Sequence, residues 1–452
     1  MKSSRRHFIE LATAASVLPT GAWALEQDAR PVSPNDKIRI ATIGIGGQGS
    51  DDTKACLKAP GTELVAVADV YDGRLARAKE VWGEAVFTTR DYRELLARPD
   101  VDAVIISTPD HWHSRISVDA LNAGKDVYCQ KPMVQKVDEG YAVIEAQKKT
   151  GRIFQVGSQR VSSIAYWKAK ELVASGAIGE INLVEAWWNR NSAIGAWQYS
   201  IPPDASPATV DWDRFLGHAP RRAFEPIRLF RWRNYQDYGT GVAGDLFIHL
   251  FSGIHLVTSS NGPNRVLATG GLRFWHDGRD VPDVMLGLYD YPKTASHPAF
   301  NLLLKVNFAD GGGDHHSFRF VGSEGALTIL GSTVTVSKRP RSKEPGYTID
   351  TFTKATQAAF LKEYRAKYPE GEPEMSGAFD TTYAAPRGYS DQEHHFRNWI
   401  ASIRSRRPPV EDAVYGMRAA GPALLSNRSY SEGKPLGWDP DAMKVKDGRS
   451  SG

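Results

Sequence analysis

The chain has 452 residues, 41% hydrophobic and 24% charged, a balance that suits two or three folded domains and excludes a largely disordered chain. Its formal net charge of +4 comes with no basic stripe interleaved with aromatics, so nothing argues for a nucleic-acid partner. Two cysteines, Cys56 and Cys129, cannot form a disulfide framework or a thiolate zinc site; both fall in predicted core elements, where reduced, buried thiols are expected.

The first 24 residues read as an address. Ser4-Arg5-Arg6-His7-Phe8-Ile9 is a twin-arginine pattern, an apolar stretch runs to Leu18, and Ala22-Trp23-Ala24 is an A-x-A cleavage signature. The expectation is a Tat signal peptide over 1–24, a polar linker over 25–36, and a protein exported to the periplasm. No later apolar run reaches spanning length, so no membrane span is expected. Tat export carries folded proteins, so a cofactor would be loaded beforehand. It would then have to be held tightly and regenerated in place.

Residues 37–158 read as a dinucleotide-binding Rossmann domain. Lys37–Ile43 forms a short β-branched strand that runs into Gly44-Ile45-Gly46-Gly47-Gln48-Gly49, a GxGxxG turn. A helix and a second apolar strand, Glu63–Ala68, follow and close on Asp69, 20 residues after Gly49. Gly44 permits a tight turn, Gly46 lets backbone approach a pyrophosphate, and Gly49 lets helix and strand pack closely. Asp69 can accept hydrogen bonds from ribose hydroxyls, which favours NAD over NADP. Strand–helix alternation then continues: helices near Gly73–Val81 and Asp91–Leu96, a strand at Val101–Ser107, a helix to Ala123, a strand at Asp126–Cys129, a helix at Asp138–Thr150 and a strand at Ile153–Val156. This is the pattern of a parallel, doubly wound sheet, whose ligands gather at strand carboxyl ends. Those ends carry Thr108–His113, Gln130-Lys131 and Gly157–Arg160.

Residues 159–430 read as an α+β domain for substrate and oligomer contacts. Strand-like runs at Ile181–Trp188, Val266–Phe274, Val284–Tyr289, Asn301–Phe308, Ser317–Val321, Ala326–Leu330 and Thr333–Val336 predict a large, mostly antiparallel sheet. Gly244–Ser259 is helical and nearly apolar, Pro340–Arg387 is a charged excursion, and two helices near Asp391–Arg404 and Glu411–Ser426 close the domain. Residues 431–452 are read as a tail.

Within the apolar helix, Asp245 and His249 are four apart and share a face. Burial of an acid and an imidazole there is costly unless they are paired or face a cavity. His249 is the candidate general base, with Asp245 setting its tautomer or contacting substrate. Lys131, at a strand end, could stabilise developing alkoxide charge. Lys131, Arg160, Asp245 and His249 are the candidate substrate contacts. The pairs His111/His113, His315/His316 and His394/His395 lack further ligands at suitable spacing, so no metal site is expected. His111 and His113 are expected at the nicotinamide ribose or at a helix start.

Taken together, the fingerprint, Thr108-Pro109-Asp110-His111-Trp112-His113, Lys131-Pro132 and the Asp245/His249 helix resemble the glucose–fructose oxidoreductase / inositol dehydrogenase / MocA family over Lys37 to Tyr430. The resemblance implies a Rossmann domain followed by an open-faced sheet domain that often mediates homo-oligomers. It also implies hydride chemistry on a sugar, sugar derivative or cyclitol with bound NAD. Gly44, Gly46, Gly47, Gln48, Gly49, Asp69, Thr108, His111, His113, Gln130, Lys131 and Gln159 are then the expected cofactor contacts. Two positions depart from the family pattern: Gln130 stands where Glu is usual and Gln159 where Asn is common. The alternatives to a net oxidoreductase are a redox-neutral, NAD-dependent glycosidase and a non-catalytic sugar- or NADH-binding protein.

Overall fold

The computed structural model of the chain describes residues 36–339, 345, 348–368 and 379–446. The expected export signal at 1–24 and nearly all of the linker lie outside the described residues. The amino-terminal sheet contains β1 (Ile38–Ile43), β2 (Thr62–Ala68), β3 (Phe87–Thr89), β4 (Ala103–Ile106), β5 (Asp126–Cys129) and β6 (Phe154–Val156). Their order is β3-β2-β1-β4-β5-β6, with every pairing parallel. β4 and β5 are buried at every residue, which is why they read as unbroken apolar runs: helices cover both faces of a parallel sheet.

The second sheet has ten strands: β7 (Ile181–Asn189), β8 (Arg265–Gly271), β9 (Val284–Tyr291), β10 (Phe300–Asn307), β11 (His315–Gly322), β12 (Ala326–Leu330), β13 (Thr333–Lys338), β14 (Phe379–Ala384), β15 (Leu436–Asp439) and β16 (Lys444–Lys446). The order is β14-β13-β12-β11-β7-β10-β9-β8-β15-β16. All its pairs are antiparallel except β10 with β7. Burial alternates along β9, where Met285, Gly287 and Tyr289 turn inward while Leu286 and Leu288 face solvent. One face of this sheet packs on helices and the other is open.

Several particulars differ from expectation. The strand expected to reach Phe274 stops at Gly271, because the backbone N–H groups of Arg273, Phe274 and Trp275 turn onto the buried Asp283 carboxylate. The stretch read as an excursion holds a helix, Lys354–Lys367, and edge strand β14. Part of the stretch read as a tail supplies β15 and β16. The helix Asp391–Ser405 packs against the Rossmann sheet: Phe396, Trp399, Ile400 and Ile403 join Ile38, Ile40, Ala55, Cys56 and Tyr128 in one buried cluster. Both cysteines are buried and free. No helix among the described residues is long and apolar enough to cross a membrane.

Candidate active site at the carboxyl ends of the parallel strands

The glycine turn is built so that only glycine fits at two positions. Gly44 has φ +86°, and a Cβ there would lie 2.8 Å from the Ser107–Thr108 backbone. A Cβ on Gly49 would lie 1.9 Å from the Gly44 carbonyl oxygen. Gly47 opens the helix Gly47–Cys56 with Gly46 as its cap, leaving first-turn N–H groups for an anion. Asp69 closes β2 and is buried; its carboxylate accepts from the N–H of Ile45 (2.9 Å) and of Tyr71 (3.0 Å). Arg74, 3.5 Å from Asp69, spreads over the Gly46 backbone and stacks on Phe230. This cation was not singled out from sequence because its helix reads as ordinary Ala/Lys/Arg alternation. Thr108 lines the same cavity as Gly44 and Asp69, and its hydroxyl is buried without a partner among the described residues. A tight glycine cradle, a buried acid and an orphaned hydroxyl along one wall fit a dinucleotide.

Gln130 turns both ends of its amide onto the protein, its oxygen accepting from the Lys131 N–H at 3.3 Å. Its amide donates to Asp52 at 2.8 Å, and Asp52 is fully buried. The same carboxylate accepts from Gln48 (2.9 Å), Ser107 (2.9 Å) and Gln392 (3.1 Å). One acid thus ties together the fingerprint helix, the ends of β4 and β5, and the Asp391–Ser405 helix. Burial pushes the Asp52 carboxyl up to about 6 against the pull of these donors. Two adjacent acids are avoided because position 130 is an amide. Gln48 spends its side-chain amide on Asp52, while Gln159 is half-buried at the start of the turn after β6.

Lys131 precedes a cis peptide bond to Pro132. Its ammonium lies 2.8 Å from the Asp245 carboxylate and 2.8 Å from the Asp245 carbonyl oxygen. Arg233 approaches the same carboxylate at 3.3 Å. Burial opposes ionisation of Asp245, but the Lys131, Arg233 and Arg190 cations hold it well below the usual carboxylate range. Burial lowers the Lys131 pKa, with Asp245 opposing the shift.

Asp245 therefore does not orient His249. It sits in a π turn, Ala243–Phe247, that leads into the helix Ile248–Thr258. That wider turn interrupts the i, i+4 register on which an Asp–His pair depends, a departure common at functional sites. His249 instead packs against Trp188 at a tilt of 36° (centroids 5.1 Å apart) and leaves Nδ1 buried without a partner among the described residues. Burial, reinforced by Lys131 and Arg160, keeps its imidazole neutral far below the ordinary histidine range. Arg160 lies over Trp188 and pairs with Asp391 at 3.3 Å.

His111 and His113 begin the helix Asp110–Asn122; both His113 nitrogens and Nε2 of His111 face protein backbone, while Nδ1 of His111 is buried without a partner among the described residues. His111 Nε2 reaches the Phe215 carbonyl at 2.9 Å. His113 lies between the carbonyls of Pro132 (2.6 Å) and Thr108 (2.8 Å), which leaves neither nitrogen for a ligand and fastens the lysine turn to the end of β4. The residue between Pro109 and His111 was missed from sequence: Asp110 is buried, accepts from Thr240 at 2.7 Å, and is pushed up to about 7 by burial and by Asp245. Only its neighbours in the chain gave it away. No group of three or more His, Cys, Asp or Glu among the described residues could hold a metal ion.

Residues 38–158 match the family model of GFO_IDH_MocA, the oxidoreductase family with an NAD-binding Rossmann fold. That match spans the six-stranded parallel sheet and its helices. An inositol 2-dehydrogenase from Rubrobacter xylanophilus is 35% identical over 162 residues, 35% of this chain and 46% of that protein. An alpha-N-acetylgalactosaminidase from Shewanella oneidensis is 29% identical over 231 residues, 43% of this chain and 50% of the relative. The chain spans about half the length of the curated relatives it matches. Among solved structures, levoglucosan dehydrogenase in complex with NADH aligns at TM-score 0.64 and 16% identity, over 89% of this chain and 99% of that one. Scyllo-inositol dehydrogenase from Lactobacillus casei, with bound NAD(H) and scyllo-inositol, aligns at TM-score 0.60 and 19% identity, over 89% and 99%. These solved structures share the two-domain fold of this chain.

Proposed function

We propose that this protein is an NAD-dependent oxidoreductase with a tightly held cofactor, acting on a sugar, sugar derivative or cyclitol by hydride transfer. The carrying observation is the buried Lys131–Asp245–Arg233 cluster with a buried, neutral His249 whose Nδ1 has no partner among the described residues, and a glycine cradle that fits a dinucleotide. Gly44, Gly46, Gly49, Asp69 and Thr108 would hold the dinucleotide, with NAD favoured because Asp69 is an acid. Bound nicotinamide supplies the hydride acceptor or donor.

The chain's own groups then divide the work. The Lys131 ammonium, anchored by Asp245, donates a hydrogen bond to the reacting oxygen and stabilises its negative charge. His249, already neutral, can accept a hydrogen bond from the substrate hydroxyl and is the candidate acceptor of its proton, at a cost set by burial and by the Lys131 and Arg160 charges. Arg233 helps keep Asp245 ionised, and Asp245 opposes the downward pull that burial and Arg233 exert on the Lys131 ammonium. The test is a thermal shift with NAD and with NADP, followed by NADH formation across a polyol and sugar panel. Absence of bound nicotinamide after purification, with no shift on adding either dinucleotide, would end this reading.

The likeness to an alpha-N-acetylgalactosaminidase favours one second reading, redox-neutral glycoside cleavage on bound NAD. Nitrophenol release from nitrophenyl glycosides without net NADH supports it; no release across a broad panel counts against it. The leader motif and A-x-A site support export by the Tat pathway, testable by exchanging Arg5 and Arg6 for Lys and following the location of the protein. The exposed Leu286 and Leu288 on the open sheet face support a homo-oligomer through that sheet, testable by light scattering.

A further inference from the structure

Neutral polyols give a cleft no reason to collect uncompensated positive charge, yet this cleft collects it. Lys131 and Arg233 flank Asp245 at 2.8 and 3.3 Å. Arg160 lies on Trp188, whose indole also packs against His249, and its only carboxylate partner among the described residues is Asp391. Arg190 follows the end of β7, two residues after Trp188, and its charge acts on both Asp245 and His249. It donates to the Gly195 carbonyl at 2.8 Å and rests on Phe308, and no carboxylate among the described residues pairs with it. Four cations thus face two carboxylates, Asp245 and Asp391. Asp110, near neutrality at pH 7, lowers the surplus from two charges to one when it ionises. His249 and His316 are neutral and do not alter the count.

Desolvating such a surplus is costly unless a ligand anion balances it. A guanidinium with donors to spare suits a carboxylate, which it meets with two parallel N–H bonds. We infer that the substrate is a sugar acid, a polyhydroxylated chain or ring bearing a carboxylate, and that Arg190 is the residue that recognises the carboxylate. This rests on the oxidoreductase reading above and narrows it to one substrate class. The hydroxyl to be oxidised then lies toward Lys131 and His249, with the acid group toward Arg190.

The experiment uses full-length protein loaded with NAD and matched pairs of probes: gluconate against glucitol, glucuronate against glucose, and glucose 6-phosphate as a phosphate arm. Thermal shift and NADH formation are both read. The expected result is a shift and a kcat/KM about tenfold or more higher for each acid than for its neutral partner. Arg190→Gln should raise KM for the acids by roughly 10–100-fold with little change in kcat, and so remove most of the preference of each acid over its neutral partner. Added salt should weaken the acids alone. Equal or better binding of the neutral partners overturns the inference, as does a phosphate ester preferred over both acids. An unchanged acid preference in Arg190→Gln overturns the role of that residue. The matched pairs test wild-type protein, so the inference stays falsifiable even where the variant folds poorly. Failure of the oxidoreductase reading looks different: no shift with NAD and no NADH from any probe.

Discussion

Replacing Gln130 by Glu sets a second carboxylate against Asp52. The amide donor now 2.8 Å from Asp52 Oδ2 becomes an acid in a fully buried site. If both ionised, two charges about 3 Å apart would repel by about 6 kcal/mol at an effective dielectric of about 20. Keeping one proton between them is cheaper. For a glutamate of ordinary pKa near 4.3, holding a proton costs about 1.4 kcal/mol per pH unit, or about 4 kcal/mol at pH 7. At pH 5 the cost falls to about 1 kcal/mol or less, because Asp52, pushed up to about 6, already carries its proton there. The shared proton raises the folded-state pKa of the pair, so its stability is present on the acid side and lost as pH rises through neutrality. Thermal and urea midpoints of wild type and Gln130→Glu, compared at pH 5 and pH 7, should therefore differ little at pH 5 and strongly at pH 7. An equal deficit at both values, or none at pH 7, would refute the Asp52 argument. A large gain in turnover at pH 7 with unchanged NAD occupancy would instead mark Gln130 as an impairment of the site.

Gly49→Ala drives a methyl group into the Gly44 carbonyl at 1.9 Å, so the NAD-induced thermal shift should vanish while the apo protein still melts cooperatively. Lys131→Met removes the cation from Asp245 without losing side-chain volume; turnover should fall roughly 100–1,000-fold with NAD affinity, read by fluorescence titration, within a few-fold of wild type. Glu411 is buried against Ser252 (2.6 Å) and Ser158, and burial pushes its carboxyl up to about 8. A raised folded pKa means stability lost as pH climbs through about 8, so Glu411→Gln should gain on wild type by about 1.4 kcal/mol at pH 9. Parallel melting profiles of the two proteins from pH 7 to 9 would contradict that assignment.

Both sheets were legible in the sequence for opposite reasons. β4 and β5 are buried on two sides and announce themselves as continuous apolar runs between helices. β9 and β10 are covered on one side and announce themselves by alternation. Strands at the margins were not legible. β14 follows a charged stretch and offers only Phe379 and Tyr383 as large apolar residues, while β16, Lys444-Val445-Lys446, is too short and too charged to read as anything but a tail. The carboxyl-terminal helix Asp391–Ser405 was visible as a helix, but not its position. Its packing face, Phe396, Trp399, Ile400 and Ile403, has the same period whichever sheet it covers.

The site divides along the same line. Spacing in the chain finds groups whose geometry is local: the glycines, the acid 20 residues on, the lysine at a strand end. It misplaces groups whose partners come from elsewhere. Asp245 and His249 read as a helical pair because period alone assumes an uninterrupted α-helix, and the π turn at Ala243–Phe247 breaks that assumption. Asp245 then pairs with Lys131, 114 residues away, and His249 packs against Trp188 from a different sheet. Asp52 offered no local signal, since an acid in a polar-looking helix is ordinarily solvated; only the convergence of Gln48, Ser107, Gln130 and Gln392 makes it a buried tie. The departure from the family pattern at position 130 is thereby matched to position 52. An amide at 130 donates to the buried carboxylate at 52, where a second acid would only compete with it for a proton.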